Sequence, residues 1–146
     1  MELKYLMKFK KINPFCYLFI WTLVLPQFSL SEEKIEVIPI IQTSKGLSGK
    51  NFNYQEGKPE LRLLKVKIPA GIETPIHTHP SPMLIHVTRG RLKHVRGEEI
   101  NFFKAGDTFV ESNNGGAHYV KNIGKKPAIL HVGVVSVLGM PTAINK

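Results

Sequence analysis

A chain of 146 residues has room for one domain of ordinary size and not for two. An apolar share of 42% and the lack of long charge runs exclude a disordered chain. The formal charge of +9 is scattered, and its densest run, Arg89 to Arg96, has no interleaved aromatics, which argues against a nucleic-acid platform.

The N-terminus reads as an address rather than as structure. Lys4, Lys8, Lys10 and Lys11 make a basic start, an apolar run follows from Pro14 to Phe28, and Ser29 and Ser31 stand two apart before Glu32-Glu33-Lys34. Basic, apolar, small-x-small, polar is the order of a secretory signal peptide. The apolar run is also shorter than the ~20 residues of a spanning helix. The expectation is a signal peptide over 1–31 and a mature domain over 32–146, secreted or periplasmic, with no membrane contact after cleavage. An uncleaved anchor is the alternative. The single cysteine, Cys16, leaves with the signal, so the mature domain has no disulfide and no thiolate chemistry. Four lysines and one glutamate leave too, which lowers the net charge from +9 to +6 and leaves a general attraction for anions.

The remainder reads as strands. Segment 33–43 is rich in β-branched residues, including Ile35, Val37, Ile38, Ile40 and Ile41, and predicts one or two strands broken at Pro39. Residues 44–59 predict an irregular arm. Leu64, Val66 and Ile68 then alternate with Leu63, Lys65 and Lys67, which predicts a strand with the first set on one face. Further strands are expected over Met83–Thr88, Arg91–Val95, Ile100–Phe103, Asp107–Val110, His118–Ile123 and Ala128–Val137, with Gly and Pro between them. No segment carries an apolar stripe of 3.6-residue period. The fold class is therefore all-β, a sandwich or barrel.

Six histidines occur: His77, His79, His86, His94, His118 and His131. In a strand, positions i and i+2 share a face about 6.6 Å apart, so the rings of His77 and His79 can converge on one ion. Neutral imidazole suits Fe, Mn, Zn, Ni or Cu without distinguishing among them. His86 has the parity opposite to Met83, Ile85 and Val87 and is expected to face outward. His94, among Lys93 and Arg96, is expected to be solvated. His131 shares parity with Ile129 and Val135 and is expected to face the interior as a core residue. Glu73 and Glu111 flank the candidate site and read as solvated rim carboxylates, with a supporting or general-base role as the minority reading.

Gly71, five residues, His77-Thr78-His79, three residues, Met83, six residues and Gly90 resembles the first motif of the cupins, G-x5-H-x-H-x3-E-x6-G, with Met83 in the Glu position. Gly106-Asp107, then Gly115, two residues, His118, three residues and Asn122 resembles the second motif, with Asn113 in its Pro position and one extra loop residue. The resemblance spans about residues 51–142, with the motif core at 61–137. It implies a double-stranded β-helix, a jelly-roll-like barrel, holding one divalent transition metal through His77, His79 and His118. Met83 in place of a carboxylate leaves three neutral ligands and the full charge of the ion. Such a centre favours a small anionic ligand.

Two functions remain open at this stage: a metal-dependent oxidoreductase or dioxygenase acting on a small molecule, and a non-catalytic module that captures one. A barrel without metal is the third alternative. A carboxylate or other titratable group on the barrel lining would favour the enzyme; a purely apolar lining would favour capture. Cupin barrels have edge strands that need covering, so a homodimer is expected, with the Ile35–Ile41 arm as the pairing segment.

Overall fold

The computed structural model describes residues 33–146; the expected signal segment 1–31 lies outside the described residues. Residues 37–146 form one compact unit. It is all-β: β1 (Pro59–Ile68), β2 (His77–Thr78), β3 (Met83–Arg89), β4 (Arg91–Arg96), β5 (Glu99–Lys104), β6 (Thr108–Glu111), β7 (Tyr119–Asn122), β8 (Ala128–Val137) and β9 (Ile144–Asn145). Three sheets result, in the orders β1-β8-β3-β6, β5-β4-β7 and β2-β9.

The expected strands from Leu64 onward are all present. The short β2-β9 pair is additional; two-residue strands leave no alternation to read. The strand expected over 33–43 is absent: that segment pairs with no other described residue, and Ile35, Val37, Ile38 and Ile40 are exposed. β-branched residues fit a pleated surface, but a strand exists only where a neighbour completes its hydrogen-bond ladder.

Alternation sets what is buried. Along β1, Leu64, Val66 and Ile68 turn toward the core while Leu61 and Leu63 face out. β3 contributes Met83, Ile85 and Val87, and β8 contributes Ala128, Leu130, Val132 and Val134. From the three-stranded sheet, Leu92 closes the core and is fully buried. Side chains of this size contribute about 1.5–3 kcal/mol each when fully buried.

Gly90, which ends the first motif, has a φ of 101° and joins β3 to β4. A Cβ there would lie 2.7 Å from Ala128 Cβ, so both the conformation and the close approach of β8 require glycine. Asn122, in the second motif, is fully buried at the end of β7. Its Nδ2 donates to Ile68 O and Lys126 O, and its Oδ1 accepts from Gly124 N, all at 2.9 Å. That side chain ties the 124–127 turn to the end of β1, a structural role.

Candidate metal centre

A backbone pairing brings the histidines of the two motifs together. His77 N donates to His118 O at 2.9 Å and His118 N donates to His77 O at 3.0 Å. Directly paired antiparallel residues share a face, and His79, two residues on, joins them. The ring centroids lie 4.8 Å (77–79), 4.6 Å (77–118) and 5.1 Å (79–118) apart. One ring nitrogen from each lies within 4.8 Å of the others. All three side chains are buried.

Each ring is oriented by a backbone carbonyl. Nδ1 of His77 donates to Pro75 O at 2.8 Å, Nδ1 of His79 to Thr142 O at 2.9 Å, and Nδ1 of His118 to Gly116 O at 3.2 Å. A carbonyl can only accept, so the proton of each neutral ring is on Nδ1 and the lone pair is on Nε2. A ligating histidine is normally held in this way, by a partner on its other nitrogen. The carbonyl for His79 comes from the C-terminal segment, which Arg62 pins through Thr142 Oγ1, Ser136 Oγ and Met140 O, each at 2.8 Å.

The imidazoles open onto a cavity of about 190 Å³ between the sheets. Its walls are mostly apolar, among them Leu64, Val66, Ile85, Leu130 and Val132, with Met83 beside the histidines. The volume falls below the ~300–1,000 Å³ of sites for drug-sized ligands, so it has room only for a molecule of few heavy atoms.

A carboxylate also lines this cavity. Glu111, at the end of β6, is 2% exposed. Its Oε1 lies 4.0 Å from His118 Nε2 and 2.7 Å from His94 Nε2, and its Oε2 accepts from Arg96 Nη2. The 2.7 Å contact is short but off the hydrogen-bond axis, so His94 satisfies Oε1 only in part. The expected solvation of His94 and of Glu111 is thus overturned. His94 is fully buried, stacked on the His118 ring at 4.6 Å. Parity held the signal: His94 shares its face with Leu92, and Glu111 shares its face with Phe109. Charged sequence neighbours obscured it.

Three other expectations concern the periphery. His86 turns from the core and contacts Thr108 Oγ1 at 2.8 Å. His131 is exposed, because the inward residues of β8 are Leu130, Val132 and Val134; its placement in the interior is overturned. Glu73 pairs with Lys121 at the surface, 3.3 Å away.

Electrostatics hold the site ready for a cation. Burial pushes His118 down to about 4, against the pull of Glu111, and lowers His79 as well. Burial pushes Glu111 up, but His94, His118 and Arg96 together bring it below its ordinary value. Near neutral pH the site therefore presents neutral His79 and His118 rings and an ionised carboxylate. Three convergent lone-pair nitrogens with fixed tautomers, and a buried ionised carboxylate beside them, fit a divalent transition ion.

A pH dependence follows. The unfolded chain protonates His118 near 6.5, whereas the folded protein resists until about 4. In that window the unfolded state binds more protons, so the metal-free protein is expected to lose stability as pH falls through it. Glu111 acts in the same direction below the ordinary carboxylate value of 4.5. Melting temperatures of stripped protein, taken from about pH 7 down to about pH 4, check this; a flat series contradicts it.

A family profile described as "Cupin domain" matches residues 64–136. The chain belongs to the cupins. Among solved structures, the polyketide cyclase RemF from Streptomyces resistomycificus is similar at 16% identity, TM-score 0.50, over 61% of this chain and 61% of that one. A double-stranded β-helix protein from Klebsiella pneumoniae is 21% identical, TM-score 0.49, over 65% and 90%. The DMSP lyase DddQ from Ruegeria pomeroyi is 20% identical, TM-score 0.49, over 59% of this chain and 43% of the lyase. This cupin thus spans less than half of the lyase, and identities at this level speak to the fold alone. None of the curated proteins compared with the chain matches it.

Proposed function

We propose that this cupin is a metal-dependent enzyme of the oxidoreductase or dioxygenase class, acting on a small molecule at one divalent ion held by His77, His79 and His118. The observation that carries the reading is the set of three buried rings whose Nδ1 atoms are taken by backbone carbonyls, so that three Nε2 lone pairs converge on one cavity. A bound divalent ion supplies Lewis acidity there and, where redox-active, a route to dioxygen chemistry. The chain's own residues do the rest. The apolar walls exclude water and hold a ligand of few heavy atoms. Glu111 lies on the lining as an ionised carboxylate close to His118, where it favours a cation over an anion in the site. A titratable group on the lining favours chemistry over simple capture. Capture of a small anion remains the second reading, supported by the predominance of apolar walls.

Metal analysis of protein purified without added metal, then a screen of small acids against the loaded form for dioxygen uptake or product, tests the proposal. Stoichiometric binding without turnover supports capture. Protein that takes up no transition ion refutes both readings.

Export and dimerisation belong to the same proposal. The basic, apolar, small-residue order of 1–31 supports export. The exposed apolar residues of the arm, Ile35 to Ile40, and of the outer face, Leu61 and Leu63, support a second copy as cover. N-terminal sequencing of fractionated native protein, followed by light scattering, decides both. A cytoplasmic chain retaining Met1, or a monomer at micromolar concentration, counts against them.

A further inference from the structure

Position 83 is where the first motif's carboxylate would stand, and Met83 cannot supply its charge. The residue directly across the ladder is Glu111: β3 and β6 pair antiparallel with Met83 opposite Glu111. Paired residues share a face, about one strand spacing of 4.7–4.9 Å apart. A carboxylate at position 111 therefore enters the same cavity beside position 83, and both side chains line it.

We propose that Glu111 supplies the negative charge of the metal centre, from β6 instead of β3, with Arg96 and His94 as the residues that position its carboxylate. The proposal rests on the metal-centre reading of His77, His79 and His118.

The two carboxylate oxygens have different surroundings. Oε2 is taken by Arg96 Nη2. Oε1 faces His118 Nε2 at 4.0 Å, and its one close partner, His94 Nε2 at 2.7 Å, lies off the hydrogen-bond axis. A buried anionic oxygen whose one close partner is misaligned is only partly compensated, and a cation would complete its environment. His94, fully buried and 2.7 Å from the same oxygen, limits where it can move. The chain even makes room for the anchor. At Gly115 an added Cβ would stand 3.2 Å from Arg96 Nη2 and 3.0 Å from Ser112 O, so the guanidinium reaches Glu111 across a residue with no side chain. Position 115 also belongs to the second motif, as the glycine separated from His118 by two residues.

The competing account is a buried ion pair that serves the fold alone. A cross-strand transfer of the charge separates the two. The mature protein would be stripped of metal and titrated calorimetrically with Mn(II), and its Co(II) form examined by visible absorption. The set is wild type, Glu111→Gln, and Glu111→Gln with Met83→Glu. Glu111→Gln should weaken Mn(II) binding by roughly 10–100-fold, the usual effect of losing a supporting carboxylate, and alter the Co(II) bands. Moving the carboxylate to position 83 should recover most of the affinity, because the charge returns to the same cavity face one strand away. Should Glu111→Gln fail to fold, Arg96→Met with Glu111→Gln is compared with Arg96→Met alone, so that the two proteins differ only in the carboxylate. Unchanged Mn(II) affinity and unchanged Co(II) bands would reduce Glu111 to a structural ion-pair partner and leave the three-histidine centre standing. Wild-type protein that binds neither ion would instead refute the metal-centre reading itself.

Discussion

Alanine at His77, His79 or His118 is expected to remove most of the bound metal while leaving the β-rich fold in place. Each ring supplies one lone pair to a chelate assembled from two chain segments, so no single loss can be covered by the others. The fall in affinity should exceed the roughly 10–100-fold that accompanies loss of a supporting residue. The fold should persist because the hydrophobic core lies on other residues, chiefly Ile85, Val87, Leu92, Leu130 and Val132. What joins the 77 and 118 segments is a pair of backbone hydrogen bonds, which alanine retains. Each truncation loses one side-chain bond to a carbonyl, about 1 kcal/mol, and some packing. Metal content by mass spectrometry, with far-ultraviolet dichroism as the control, reads both. Equal metal in wild type and the triple-alanine protein would end the metal hypothesis. The register adds a qualification to the simplest gain-of-function change. Met83→Glu alone places a second carboxylate directly opposite Glu111, and like charges in that position repel. Its benefit should emerge when Glu111 is neutralised.

The second large effect is on stability. Arg96→Met is expected to cost about 3–5 kcal/mol, the range seen when one partner of a buried ion pair is removed. The side chain of Arg96 is 10% exposed and that of Glu111 3%, so water screens neither. The other carboxylate near Arg96, Glu99, is 42% exposed and 3.8 Å away, and contributes little. Without the guanidinium, Glu111 keeps only His94 as a close polar partner and must carry an uncompensated charge or take up a proton. Arg96→Lys keeps a charge but loses the planar fork, and should fall between the two. Pairing Arg96→Met with Glu111→Gln should recover part of the loss, since no buried charge is then left alone. Urea denaturation of the metal-free proteins measures all of these. A loss below about 1 kcal/mol for Arg96→Met would mean that the pair behaves like an exposed one.

The sequence by itself determined the strands from Leu64 to Val137, the cupin motifs and the three histidines. These follow from local rules: side chains alternate with a period of two along a strand, and residues two apart share a face. Only the tertiary structure decided which residues stand across from one another. Segment 33–43 has the composition of a strand and is none, because pairing needs a neighbour that composition does not specify. β8 is apolar on both faces, so alternation alone could not say whether Ile129, His131 and Val135 or Leu130, Val132 and Val134 turn inward; packing against the other sheet chose the second set. Glu111 and His94 lie seventeen residues apart in sequence, on strands of different sheets, and meet only because both sheets line one cavity. Glu111 could be named from the sequence as a carboxylate near the site, but not as the residue opposite position 83, because ladder register is a property of the folded sheet.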